Sequence, residues 1–166
     1  MAVLLLDPVV GFGAAIAPTL FGAATDAHGR PLYDVVTCGV TTAPVSATTG
    51  FGVLPQAGAE VLATADTVVI PGTRYRPARI EGRLDAEVAD ALARIPARTR
   101  KVSICTGAFV LAAAGLLDDR PATTHWRYAD DLRALYPRVR VDENVLFVDD
   151  GDVLTSAGLA AGLDLC

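Results

Sequence analysis

Cys105 is the residue whose setting most invites chemistry. Val102-Ser103-Ile104 before it reads as the end of a buried strand, and Thr106-Gly107-Ala108-Phe109 after it reads as the start of a helix. A cysteine at such a corner resembles a nucleophile elbow, where the turn thrusts the side chain out beyond the strand. Gly107 lets the backbone turn tightly. The exposed amides and dipole of a helix start favour a thiolate, and can lower a thiol below its usual ~8.5. The competing reading is a small hydrophobe filling the core, and position alone leaves both open.

A second corner, Val69-Ile70-Pro71-Gly72-Thr73, closes another apolar run. The N–H of Gly72, paired with that of Thr106, would make an anion or oxyanion site; an ordinary strand-ending turn is the alternative. His125, followed by Trp126 at an expected helix start, would polarise the Cys105 thiol or hold a ligand if it reaches that far. Trp126 either packs or lines the pocket wall. His28, in the polar stretch Asp26-Ala27-His28-Gly29-Arg30, reads as a surface residue.

Other chemistries find little support. Two histidines and three scattered cysteines give no metal-site spacing, so no metal is expected. Gly11-Phe12-Gly13 opens like a dinucleotide fingerprint but lacks the third glycine, and no cofactor is expected. Asp149-Asp150-Gly151-Asp152 lacks the full spacing of a calcium loop and reads as a hairpin turn.

The elements that must hold these residues follow from patterning. The 166 residues are 52% hydrophobic and 20% charged, which fits one folded domain with a proper core. A net charge of -5, with Lys101 the only lysine, argues against this surface gripping a phosphate backbone. The longest mostly apolar run, Thr106 to Leu117, is short of the ~20 residues a bilayer needs. Ala2–Leu6 has no basic residue before it and stops at Asp7, so it reads as a strand rather than a signal peptide. Cys38, Cys105 and Cys166 are an odd, irregular set that suggests free thiols in the cytoplasm.

Strands are expected at Ala2–Leu6, Tyr33–Cys38, Thr67–Ile70 and Lys101–Cys105, with short bent strands within Pro44–Leu54. Helices are expected at Phe12–Ala23, Ala57–Ala65, Arg83–Ile95, Thr106–Leu117 and Trp126–Tyr136. Val145–Val148 and Val153–Thr155 should pair as an antiparallel hairpin, with Ser156 capping a last helix. This alternation predicts an α/β fold whose mostly parallel sheet carries helices on both faces, with ligands bound beyond the strands' carboxyl ends. The final helical pattern still runs at Cys166, which suggests that the chain is truncated.

Taken together, Ser103-Ile104-Cys105-Thr106-Gly107-Ala108-Phe109, Ala113-Ala114-Gly115-Leu116-Leu117 and Thr123-Thr124-His125-Trp126 resemble the ThiJ/PfpI superfamily. The tail from Val145 through Gly158 is similar to its GlxA-like branch, which fuses this domain to an AraC-type helix-turn-helix region. The resemblance implies a flavodoxin-like three-layer sandwich over residues 1–166, often dimeric, with Cys105 at a pocket, His125 nearby, and Gly72 and Thr106 as backbone donors. Thr73 and Gly107 fall in the same pocket motifs. It also implies a small-molecule effector, and DNA contact only through a downstream domain. Related enzymes include isonitrile hydratases, which share a cysteine followed by threonine.

One departure bears on activity. Aligned without gaps, Gly13 and Thr19 stand where active relatives commonly carry an aspartate and a glutamate. General acid–base work needs a titratable group, which neither supplies. The expectation is therefore a regulatory, ligand-sensing domain without catalytic activity. A stand-alone cysteine hydrolase or isonitrile hydratase-like enzyme is the alternative, and a redox sensor at Cys105 is a third reading.

Overall fold

The computed structural model describes residues 1–166. Its central sheet has six strands: β1 (Ala2–Leu4), β2 (Val36–Cys38), β5 (Thr67–Ile70), β6 (Arg100–Ile104), β9 (Phe147–Asp150) and β10 (Val153–Ser156). They lie in the order β2-β1-β5-β6-β10-β9, and every pair is parallel except the β9–β10 hairpin.

Both faces are buried, and the pleat decides which residue goes where. Ala2, Leu4, Val68 and Ile70 face one core with Phe109, Leu111 and Leu132. Val3, Leu5, Val69, Val102 and Ile104 face a second core with Ile16 and Ala17. Helices α2 (Ala86–Ala93), α3 (Ala108–Ala113) and α4 (Ala129–Leu135) supply the first layer, and α1 (Gly11–Ala23) with α5 (Ala161–Leu165) the second. The result is the expected three-layer, flavodoxin-like sandwich. Two minor ladders complete it: β3 (Val45–Ser46) with β4 (Gly52–Val53), and β7 (Pro121–Ala122) with β8 (Arg140–Val141). No helix is long and apolar enough to cross a membrane.

Several elements differ from the sequence reading. Residues 57–65 make only a 3-10 segment, Ala59–Ala63. The helix expected from Arg83 begins at Ala86, because an unforeseen π-helical turn at Pro77–Glu81 is closed by Gly82 at φ +66° and delays it. The helix after Cys105 opens as a 3-10 turn and stops at Ala113, where Gly115 takes φ +72°. The hairpin sits two residues further on than expected. Asp149 and Asp150 stay in the ladder opposite Leu154 and Val153, which leaves Gly151-Asp152 as the turn. Ser156 ends β10 and caps nothing; α5 starts without a side-chain cap.

Candidate ligand site at the Cys105 elbow

At the end of β6 the chain turns at Cys105, which adopts φ +57°. A non-glycine residue in this left-handed region persists only where its surroundings hold it. Here the Cys105 N–H donates to the Ala157 carbonyl at 3.0 Å, and its own carbonyl accepts the Thr124 hydroxyl at 2.8 Å. Gly107 answers a different demand. A β-carbon there would sit 2.2 Å from the Ile70 carbonyl oxygen, so only glycine lets this turn press against the end of β5.

The two corners are bolted together by hydroxyls. Thr106 Oγ1 donates to the Thr73 carbonyl at 2.7 Å and accepts the Thr73 N–H at 2.9 Å. The Thr73 hydroxyl lies 3.1 Å and 3.0 Å from the Leu6 and Pro8 carbonyls and accepts the Tyr75 N–H at 2.9 Å. Both side chains are buried and committed to the frame. Their role is to hold the elbow in place.

Above this frame lies a cavity of about 370 Å³ with eleven lining residues, among them Thr73, Cys105, Thr106 and His125. The volume suits a small metabolite. Three residues singled out from sequence lie outside the lining. Gly107 is buried against β5, and Trp126 is 66% exposed with its ring 5.6 Å from that of His125. Gly72 packs closely against the elbow; a β-carbon there would fall 3.4 Å from the Cys105 β-carbon and 3.2 Å from Val10.

Burial pushes the Cys105 thiol above its ordinary pKa. The N–H and hydroxyl of Thr106, the N–H of Leu159 and the charge of Arg79 pull the other way, in that order, without overcoming it. Of the two readings left open from sequence, burial favours the protonated thiol: Cys105 is 7% exposed, and desolvation disfavours the charged form more than the short turn after it can offset. His125 is shifted down, first by burial and then by Arg127. Its Nδ1 accepts the Arg127 N–H at 3.2 Å, so the neutral ring carries its proton on Nε2.

The remaining wall includes Val10, Arg74, Arg79, Tyr128 and Leu159, and none of the eleven residues is acidic. A β-carbon at Gly13 would stand 3.5 Å from the Gly72 nitrogen, so position 13 lies close to this corner, and the chain offers no acid there or at Val10 in the lining. Thr19 is elsewhere, exposed in a groove with Phe12, Leu20 and Leu163.

Sequence reasoning missed Arg79, Tyr128 and Gly158. The Arg79 guanidinium is held between the Phe109 and Tyr128 rings, 4.2 Å and 4.1 Å from their centroids. Gly158 lies directly against the imidazole: a β-carbon there would meet His125 Cδ2 at 2.2 Å. Only the Gly158 position, inside the recognised tail motif, left any trace in the sequence.

Residues 23–166 match the model of the DJ-1/PfpI family. The chain belongs to the DJ-1/PfpI family. Among DJ-1/PfpI relatives, it is 37% identical over 122 residues to an isonitrile hydratase of Pseudomonas putida, which covers 73% of this chain and 51% of the hydratase. It is 32% identical over 152 residues to the HTH-type transcriptional regulator GlxA of Rhizobium meliloti (strain 1021), covering 82% of this chain and 41% of the regulator. The chain thus spans about half the length of the curated relatives it matches. A ThiJ/PfpI family protein from Pseudomonas syringae superposes with a TM-score of 0.77 at 25% identity, over 99% of this chain and 64% of that one. An AraC family transcriptional regulator from Pseudomonas putida, at 20% identity and a TM-score of 0.76 over 99% of this chain and 86% of that one, shares the DJ-1/PfpI fold.

Proposed function

We propose that this DJ-1/PfpI chain is the effector-binding domain of an AraC-family transcription regulator, and that its Cys105 cavity binds a small molecule without transforming it. The observation that carries this reading is the cavity wall itself. It presents a cysteine and a histidine but no carboxylate, and neither Val10 in the lining nor Gly13 close by supplies one. Burial disfavours the Cys105 thiolate, and no carboxylate in the lining stands ready to take its proton. Similarity to GlxA supports the same direction.

Signalling then requires an effector that favours one arrangement of a homodimer over another, with DNA bound through a separate helix-turn-helix region. The test is twofold. The reading frame beyond codon 166 is expected to encode a helix-turn-helix region, and the full gene product should bind its own promoter in an effector-dependent way. A stop codon directly after residue 166 would overturn the proposal.

A second reading, a cysteine-dependent hydratase or hydrolase, is favoured by the Cys105-Thr106 pair and the 37% identity to isonitrile hydratase. It requires turnover of isonitriles, amides or glyoxals that disappears in Cys105→Ala. Absence of turnover across that panel retires it.

A further inference from the structure

Arg79 is nearly enclosed, and its guanidinium is left without a hydrogen-bond partner. Its side chain is only 11% exposed, Nη1 is sealed from solvent without a partner, and the guanidinium makes no hydrogen bond within the chain. The nearest carboxylate, Asp131, stands 3.9 Å from Nη2, beyond hydrogen-bonding range, and is itself 60% exposed. A buried charge left in this condition is costly, because lost hydration is not replaced. The aromatic rings on either side fix the plane of the guanidinium but take none of its N–H groups.

The surroundings tell what would complete it. The Cys105 cavity is lined by two arginines, Arg74 and Arg79, and by no acid, within a chain whose net charge is -5. The lining thus carries two arginines and no carboxylate, while Asp131 borders a neighbouring groove that Arg79 also lines. In the same lining the N–H groups of Thr106 and Leu159 approach the Cys105 sulfur and add donors. A planar guanidinium presents a fork that matches a carboxylate with two parallel hydrogen bonds. Its fixed orientation means that little freedom is lost when the ligand arrives.

We propose that Arg79 is the carboxylate-recognition residue of the Cys105 cavity, and that the effector is a small organic acid. This deepens the effector-binding reading by naming the ligand's class, and rests on it. The remainder of the ligand lies against Val10, Tyr128 and Leu159, while His125, neutral and protonated at Nε2, offers one further donor.

The experiment uses the purified chain and matched pairs of probes: lactate with lactamide, glycolate with glycolamide, and succinate with succinamide. Binding is read by calorimetry and by the melting temperature. At least one acid should bind with a Kd below about 10 mM, and its amide should bind at least tenfold more weakly. Arg79→Met should weaken the acid by about 30-fold or more, as expected when one partner of a buried charge pair is truncated. Arg79→Lys, which keeps the charge and loses the fork, should fall between. Thr19→Ala, exposed in a separate groove on α1, should bind as the wild type does.

An acid and its amide that bind equally would overturn the proposal, and this comparison needs no variant to fold. So would undiminished binding in a folded Arg79→Lys or Arg79→Met, no binding by any acid, or tighter binding of sulfate than of every carboxylate. A neutral compound that binds this cavity regardless of Arg79 would sink the carboxylate assignment alone and leave the effector-binding reading standing.

Discussion

At the scale of single residues, Cys105 shows how environment overrules position. Its corner could favour a thiolate, yet burial outweighs the amides and Arg79 beside it. The folded pKa is raised, so the folded state binds the proton more tightly than the unfolded chain. This contribution to stability is whole below the ordinary thiol pKa and is lost as pH rises through the folded value. Alkylation by iodoacetamide at pH 7.5, followed peptide by peptide, should be slower at Cys105 than at a free cysteine and should keep rising above pH 9. Alkylation as fast as free cysteine at neutral pH would contradict the assignment. Cys38, pushed by burial up to about 12, should be slower still. Cys105 and His125 were legible because each stands in a local motif. Arg79 was not: it shares a short stretch with Arg74 and Arg76. Only the π-helical turn decides which of the three meets the Phe109 and Tyr128 rings.

At the scale of elements, the elbow depends on close backbone approach and buried hydroxyls. Gly107→Ala would drive a methyl into the Ile70 carbonyl, and overpacking of this kind should cost about 3 kcal/mol, measurable by urea denaturation. Thr106→Val would leave the Thr73 N–H without its acceptor; one such loss should cost roughly 2 kcal/mol. An unchanged midpoint in Thr106→Val would mean that the two corners are held by other contacts. Gly158→Ala makes a different demand, because its methyl would collide with the His125 ring. It should impair ligand binding far more than stability, a split visible by comparing Kd with melting temperature. The main strands were readable from apolar runs, since strands buried on both faces lack polar alternation. The hairpin register was not. Asp149 and Asp150 look like turn residues, yet the Arg120 guanidinium reaches the Asp150 and Asp152 carboxylates at 3.1 Å and 2.7 Å, and Asp150 remains paired in the ladder. Long-range ion pairs of that sort leave no local signature. The same holds for β7 and β8, two-residue strands that pair across an intervening helix.

At the scale of the whole molecule, the parallel sheet brings the ends of β5 and β6 together, and the cavity opens where both chains leave the sheet. That arrangement followed from the alternation of strands and helices, as did the covering of both faces. The cavity's charge did not, because it depends on which side chains converge from distant segments. A ligand that binds only the folded state stabilises it by mass action. At a hundredfold excess over Kd the gain is about 2.7 kcal/mol, or roughly 5–10 °C in melting temperature for a domain of this size. No shift with any organic acid at saturating concentration would count against a carboxylate as the cavity's ligand.

Leu159 forms part of the cavity wall, and α5 begins two residues later, its Ala161 and Gly162 buried against the sheet. Only Ala160 lies between Leu159 and the helix. Occupancy of the cavity is therefore expected to act on the terminal helix as on a lever, with Cys105, anchored to the Ala157 carbonyl, close to its near end. Amide protons across residues 159–165 should exchange with solvent more slowly once the lever is loaded.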